Sequence, residues 1–245
     1  MTERAPERIA GRMKTIGLIG GMSWESSAEY YRVLNELVKA RCGGLHSAEC
    51  VMYSVDFAPI EAMQHAGAWE EAGLALADAA RKVERGGADF VLLCTNTMHK
   101  VADVLTTALT VPLIHIADPT AEAITAAGIG TIGLLGTRFT MEEAFYRGRL
   151  TDRFGLRVLT PTEADRESVH RIIYNELCLG IIRDESRAAY REIMARLVAQ
   201  GAEGVILGCT EITLLVGPDD ASVPLFDTTR LHAERAVNLA LSEGD

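Results

Sequence analysis

The amino-acid sequence predicts an α/β protein built as two similar lobes, each a parallel sheet flanked by helices. Two observations carry this. Short β-rich apolar runs alternate with longer stretches of helical spacing, the order expected of a parallel sheet covered on both faces. The same series of runs then restarts half-way along the chain. At 245 residues and 48% hydrophobic content, the chain is long enough to bury one large core or two small ones.

The opening stretch MTERAPERIAGRMK is polar and mixed in charge, without the apolar core of a signal peptide. Residues 1–12 are expected to be a disordered lead, with Met13 as a second candidate start. Thr15 to Ile19 is a strand ending in Gly20-Gly21, and Ser26 to Arg41 has helical spacing. Cys50 to Val55 is a second strand. Trp69 to Arg85 is a helix closed by Gly86-Gly87. Phe90 to Leu93 and Val111 to Ile116 complete the first set of strands. Aromatic residues such as Trp24 and Trp69 are expected to fill the core or line a pocket.

The repeat is readable residue by residue. Lys14-Thr-Ile-Gly-Leu-Ile-Gly20 matches Gly130-Thr-Ile-Gly-Leu-Leu-Gly136, and Gly87-Ala-Asp-Phe-Val-Leu-Leu93 matches Gly201-Ala-Glu-Gly-Val-Ile-Leu207. Val111-Pro-Leu-Ile matches Val223-Pro-Leu-Phe. Three matches in one order at nearly one offset imply two homologous lobes about a pseudo-twofold axis. Their expected bounds are 13–117 plus 229–245, and 118–228, the last helix returning to the first lobe.

Charge and cysteines exclude several functions. A net charge of −10, spread along the chain, argues against nucleic acid and anionic membranes as partners. No apolar run reaches the length of a membrane span. Five cysteines without short metal-type spacing fit a reducing cytoplasm. No CxxC, no HExxH and no lysine in a pyridoxal-binding context occur, so neither metal nor organic cofactor is expected. Gly17 to Gly21 lacks the GxGxxG spacing of a dinucleotide site. The oligomeric state stays open, with a homodimer as the candidate assembly.

Ligand sites in parallel sheets gather at the carboxyl ends of strands. After its third strand the first lobe carries Cys94-Thr-Asn-Thr-Met-His99, and the second carries Gly208-Cys-Thr-Glu-Ile212. The repeat pairs Thr95 with Cys209 and Asn96 with Thr210. Two facing lobes would present Thr95 and Cys209 from opposite sides of one cleft. Proton-handling groups on two faces of a carbon are what stereoinversion requires.

These segments resemble the aspartate/glutamate racemase superfamily, whose lobes each end a strand in a Cys motif, CNT-x-H and GCTE. Thr95-Asn-Thr-Met-His99, Gly208-Cys-Thr-Glu211, Ile19-Gly-Gly-Met-Ser-Trp24 and Gly136-Thr-Arg-Phe-Thr140 carry the likeness. The resemblance implies two Rossmann-like lobes, α-proton inversion without pyridoxal phosphate, and aspartate or glutamate as substrate. It makes Cys209 the base for the L-isomer and Thr95 its opposite, helped by His99. Met22, Ser23, Asn96, Thr97, Thr137, Thr140 and Thr210 become substrate contacts, with His99 and Glu211 in support. The Cys209 thiolate is expected to be favoured by helix N-terminal amides. There are two departures. Thr95 stands where the family has its first cysteine, with Cys94 one residue earlier as the other candidate. The lysine that aspartate racemases carry in the second lobe is missing, since none follows Lys100. Cys178 falls near that position, so an arginine such as Arg138 would replace it. Two alternatives stay open: a decarboxylase or isomerase of small diacids in the same superfamily, and a non-enzymatic bilobal ligand-binding protein.

Overall fold

The structure, a computed structural model, describes residues 12–242. The expected lead therefore lies outside the described residues, Arg12 excepted. The described residues divide into two compact units. Unit 1 holds those up to Cys94, Val101–Ile114 and those from His232 onward; unit 2 holds Thr95–Lys100 and His115–Leu231.

Unit 1 runs β1 (Ile16–Gly20), α1 (Trp24–Cys42), β2 (Cys50–Ser54), α2 (Phe57–Ala66), α3 (Trp69–Arg85), β3 (Phe90–Leu93), α4 (Ala102–Ala108) and β4 (Leu113–Ile114). Its sheet is parallel throughout, in the order β2-β1-β3-β4. Every residue of β1 and β3 is buried, as an unbroken apolar run in a sheet covered on both faces demands. Ser23 caps α1 by accepting from the Ser26 amide, and Tyr30, Val33, Leu34 and Val38 supply its buried stripe.

Three features depart from the sequence reading. The helix α2 was not anticipated: among its side chains only Ile60 and Gln64 are buried, so its apolar period is faint. The fourth strand shrinks to two residues, because Pro112 has no amide to pair and the chain leaves the ladder after Ile114. Trp24 is 68% exposed rather than a core or wall residue, since the stripe that starts at Tyr30 fills the interior instead. Trp69 is half-buried.

Unit 2 runs α5 (Ala117–Ala126), β5 (Thr131–Gly136), α6 (Arg138–Glu142), α7 (Ala144–Phe154), β6 (Arg157–Leu159), α8 (Glu163–Asn175), α9 (Asp184–Ala199), β7 (Val205–Gly208), α10 (Ile212–Leu215), β8 (Leu225–Asp227) and α11 (Thr228–Leu241). Its sheet is again parallel, in the order β6-β5-β7-β8. Beyond Leu231, α11 belongs to the core of unit 1 through Ala233, Ala236, Val237 and Ala240. There His232 accepts from the Tyr30 hydroxyl at 2.8 Å and donates to the Ile114 carbonyl at 2.8 Å. No described helix is long and apolar enough to cross a membrane.

The ladders give the repeat an exact register. Gly17 lies opposite Val91 in unit 1, and Gly133 opposite Val205 in unit 2. Val91 in turn pairs with Leu113, and Val205 with Leu225. Counting on from these partners, Thr95 and Cys209 hold equivalent positions, two residues past Leu93 and Leu207. The amino ends of the two sheets also share a latch. Asp89 Oδ2 accepts the Thr15 amide at 2.6 Å, and Glu203 Oε2 accepts the Thr131 amide at 2.8 Å. The Asp89 and Glu203 amides donate back to the Thr15 and Thr131 carbonyls, both at 2.9 Å.

The glycines of these two strands differ in the room around them. A Cβ on Gly17 would lie 2.5 Å from Val83 Cγ1, 2.8 Å from Ala88 Cβ and 2.9 Å from the Phe90 carbonyl. On Gly133 the nearest atom would be Leu197 Cδ1 at 3.1 Å, the end of a flexible side chain. Gly17→Ala is therefore expected to cost about 1–3 kcal/mol of stability and Gly133→Ala a fraction of that. Urea unfolding of the two variants beside the wild type measures the difference; equal losses would contradict it.

Candidate active site

The candidate site is built from four chain segments that leave strands at their carboxyl ends, all assigned to unit 2. The first is Thr95–Lys100, after β3. It turns at once into a single 3-10 turn, Thr97–Val101, anchored by His99. The His99 Nδ1–H donates to the Thr95 carbonyl at 2.8 Å, and Nε2 accepts the Ile116 amide at 3.1 Å. These bonds fix the neutral tautomer protonated on Nδ1. Burial dominates its acidity and pushes its pKa down to about 4. His99 is thus committed at both nitrogens to holding the loop.

Two hydroxyl networks spread from this loop. The Asn96 amide donates to Thr228 Oγ1 at 3.0 Å, and that hydroxyl donates to the Leu207 carbonyl at 3.0 Å. The order fixes the amide: its nitrogen faces Thr228, and its Oδ1 is buried with no hydrogen-bond partner. Next along the chain, Thr229 Oγ1 donates to Thr210 Oγ1 at 3.1 Å. The second network joins Thr97 Oγ1 to Thr137 Oγ1 at 2.9 Å and Thr137 Oγ1 to Thr140 Oγ1 at 3.3 Å. Thr137 also caps α6 through the Thr140 amide.

Of the residues expected from the sequence, Asn96, Thr97, Thr137, Thr140 and Thr210 are thus buried in hydrogen-bonded networks. Thr95 and Cys209 are half-buried at the equivalent strand ends. Met22 and Ser23 are buried in unit 1, Ser23 as the cap of α1. Arg138 is exposed, 3.7 Å from Glu167. Cys94 is wholly buried in the core of unit 1, and burial drives its thiol far above the ordinary range. Thr228 and Thr229 were missed. Their signal is Asp227-Thr-Thr at the exit of β8, directly after the Val223-Pro-Leu-Phe match. Asp227 Oδ1 accepts the Thr229 amide at 2.9 Å and so opens α11 there.

Cys209 corrects another expectation. Its thiol is pushed well above the ordinary value, by burial first and by the Glu211 carboxylate second. Cys209 Sγ donates to Glu211 Oε2 at 2.8 Å, and Glu211 is itself buried. The helix whose N-terminal amides were expected to favour a thiolate, α10, has four residues, Ile212–Leu215. An open depression of about 320 Å³ beside α10, lined by Arg187 and residues 213–220, contains none of the expected residues. Among the described residues, no cluster of three or more His, Cys, Asp or Glu is arranged to hold a metal ion.

Fold and strand-end site together define an isomerase of the amino-acid racemase type. The chain belongs to the Asp/Glu/Hydantoin racemase family, whose sequence model matches residues 19–236. A solved Yersinia pestis chain, provisionally classed as an Asp/Glu racemase, is 58% identical; the match covers 94% of this chain and all of that one, with a TM-score of 0.88. An aspartate racemase homologue from Pyrococcus horikoshii OT3 is 35% identical over 93% of this chain and 99% of its own, with a TM-score of 0.81. The broad-specificity amino-acid racemase RacX of Bacillus subtilis is 24% identical over 71% of this chain and 74% of its own.

The depressed pKa of His99 has a consequence for stability. A group held neutral in the fold stabilises fully above its unfolded value of 6.5, and loses that contribution as pH falls towards about 4. Melting temperature should therefore decline between pH 6.5 and 4, with a shallower decline in His99→Gln. Parallel profiles would contradict this reading of the loop anchor.

Proposed function

We propose that the protein is a pyridoxal-independent racemase of aspartate, glutamate or both. In this reading Cys209 takes the α-proton of the L-isomer and Thr95 serves the opposite face. The observation that carries it is the ladder register, which makes Thr95 the counterpart of Cys209 in a family of racemases. The Asn96 Oδ1 acceptor suits an N–H of the substrate ammonium group, and the threonine hydroxyls suit its carboxylates. An acidic substrate is supported by the likeness to an aspartate racemase homologue, and a broader range by RacX. Met22 and Ser23 remain proposed substrate contacts on the strength of their sequence motif. Five cysteines, an odd number without short metal-type spacing, support a cytoplasmic setting.

The two proposed proton-transfer groups are unequal. A hydroxyl is far less acidic than a thiol, so Thr95 is a poor resting base but a competent donor. Abstraction at Cys209 followed by return from the same thiol gives exchange without inversion. Inversion through Thr95 is the slower outcome. The enantiomers have equal free energy in water, so the asymmetry appears as exchange outpacing racemisation, not as a one-way reaction.

Cys209→Ser is expected to lower turnover by at least about 100-fold while leaving the fold intact. Deuterium entry at the α-carbon of L-aspartate and L-glutamate in D₂O, with circular dichroism of the variant, checks this. Near wild-type exchange in Cys209→Ser would remove the assignment. Thr95→Cys should speed exchange from the D-isomer, and no gain there would count against Thr95 as the second group. Activity should persist in chelator-treated protein free of pyridoxal absorbance.

A further inference from the structure

The turn that carries Thr137 and Thr140 has little of its own to hold it. The helix α6 has five residues, Arg138–Glu142, of which Thr140 and Met141 are buried. A single turn of helix is not stable alone, because nucleation fixes several dihedrals for one bond gained. Yet Thr137 Oγ1 meets Thr97 Oγ1 at 2.9 Å and Thr140 Oγ1 at 3.3 Å, contacts that require close placement. Inside the turn, the Thr140 amide donates to Thr137 Oγ1 at 3.4 Å and the Met141 amide to the Thr137 carbonyl at 3.0 Å. The Arg138 amide comes directly after the cap and has no acceptor within a helix that starts there. It donates to His170 Nδ1 on α8 at 3.2 Å. The same imidazole meets the Phe139 ring edge-on with centroids 6.2 Å apart, and lies 4.8 Å from the Tyr174 ring.

Two ion pairs also join α8 to α6. Arg138 lies 3.7 Å from Glu167, and Arg166 Nε donates to Glu142 Oε1 at 2.8 Å. Both pairs are partly solvated, and such pairs contribute little. They reach α6 through its side chains, whereas the imidazole bonds to its backbone, one residue from Thr137. We propose that His170 is a positioning residue: by accepting the Arg138 amide it holds the Thr137 and Thr140 hydroxyls where a substrate carboxylate meets them. This rests on the reading of those two threonines as substrate contacts. His170 touches no reacting atom and acts through the α6 turn. To accept, Nδ1 carries no proton, so the ring serves as a neutral imidazole with its N–H on Nε2. Its two contributions are separable, since the ring packs and the nitrogen bonds. A phenyl group keeps the packing and lacks the acceptor. An asparagine keeps an acceptor at similar reach and lacks the ring.

Hydrogen exchange of the Arg138 amide, followed by NMR on the intact chain, reads this bond without substrate. KM and kcat for α-deuterium exchange of L-aspartate and L-glutamate read its consequence. In His170→Phe the Arg138 amide should exchange about three- to tenfold faster, the range set by loss of one hydrogen bond. KM should rise by about the same factor with kcat changed by less than about twofold, because binding of substrate and transition state weakens alike. His170→Asn should bring the amide and KM back to within about twofold of the wild type. His170→Leu, which also lacks an acceptor, takes the place of His170→Phe should that variant not fold. An unchanged Arg138 amide or an unchanged KM in the acceptor-free variant would overturn the proposal. So would a fall in kcat at constant KM. His170→Asn behaving as His170→Phe would overturn it too, since the ring and not its nitrogen would then matter. Amide exchange needs no substrate, so it separates this proposal from the racemase reading. A wild type that exchanged the α-proton of no amino acid would sink that reading, while the Arg138 amide in the three proteins would still decide whether His170 holds the turn.

Discussion

The imidazole of His99 is the contact on which the rest of the site depends. It receives the Ile116 amide and gives its own N–H to the Thr95 carbonyl, so it pins the exit of β3 to the exit of β4. The His99 amide also donates to the Asn96 carbonyl at 3.1 Å. With it, Asn96 is held where its amide meets Thr228, and Thr97 where its hydroxyl meets Thr137. Both networks therefore start from residues on one pinned turn. The imidazole serves because burial keeps it neutral, which leaves one nitrogen to donate and the other to accept.

Around that anchor the charge distribution is unusual for a cysteine proposed as a base. Activated thiols are ordinarily found beside cations or long helix N-termini, which lower their pKa. Among the described residues, Cys209 has neither beside it. It has Glu211 at hydrogen-bond distance and a short α10 behind it. The resting group is therefore a thiol, and any thiolate formed there depends on where its proton can go.

Much of the fold was legible because its signals are local and repeated. Ile16-Gly-Leu-Ile-Gly20 and Thr131-Ile-Gly-Leu-Leu-Gly136 read as buried central strands, and both lie at the centre of their sheets. The pairing of Thr95 with Cys209 followed from the same repeat, and the ladders give the same correspondence. What escaped the sequence was set by contacts distant along the chain. Thr228 joins the site through Asn96, 132 residues away, a distance its local Asp227-Thr-Thr signal does not span. The acidity of Cys209 depends on burial and on the direction of one Glu211 side chain. The shortness of β4 depends on Pro112 and on where Ile114 leaves the ladder. The helix α2 escaped for another reason, since it buries too little to leave a period.

The matched carboxylate latches at the amino ends of the two sheets bear on how such a chain can change over evolution. Asp89 and Glu203 do one mechanical task with side chains of different length, and each returns its amide to the strand it grips. That edge carries the same latch in both sheets. The opposite edge has diverged to threonine in one half and cysteine in the other. The latches and the candidate site thus occupy opposite rims of the sheets. Loop exchange at the carboxyl rim can retune what is recognised while the founding geometry below is left alone. A change at the latch would instead be felt by every loop above it, whatever ligand those loops had come to prefer.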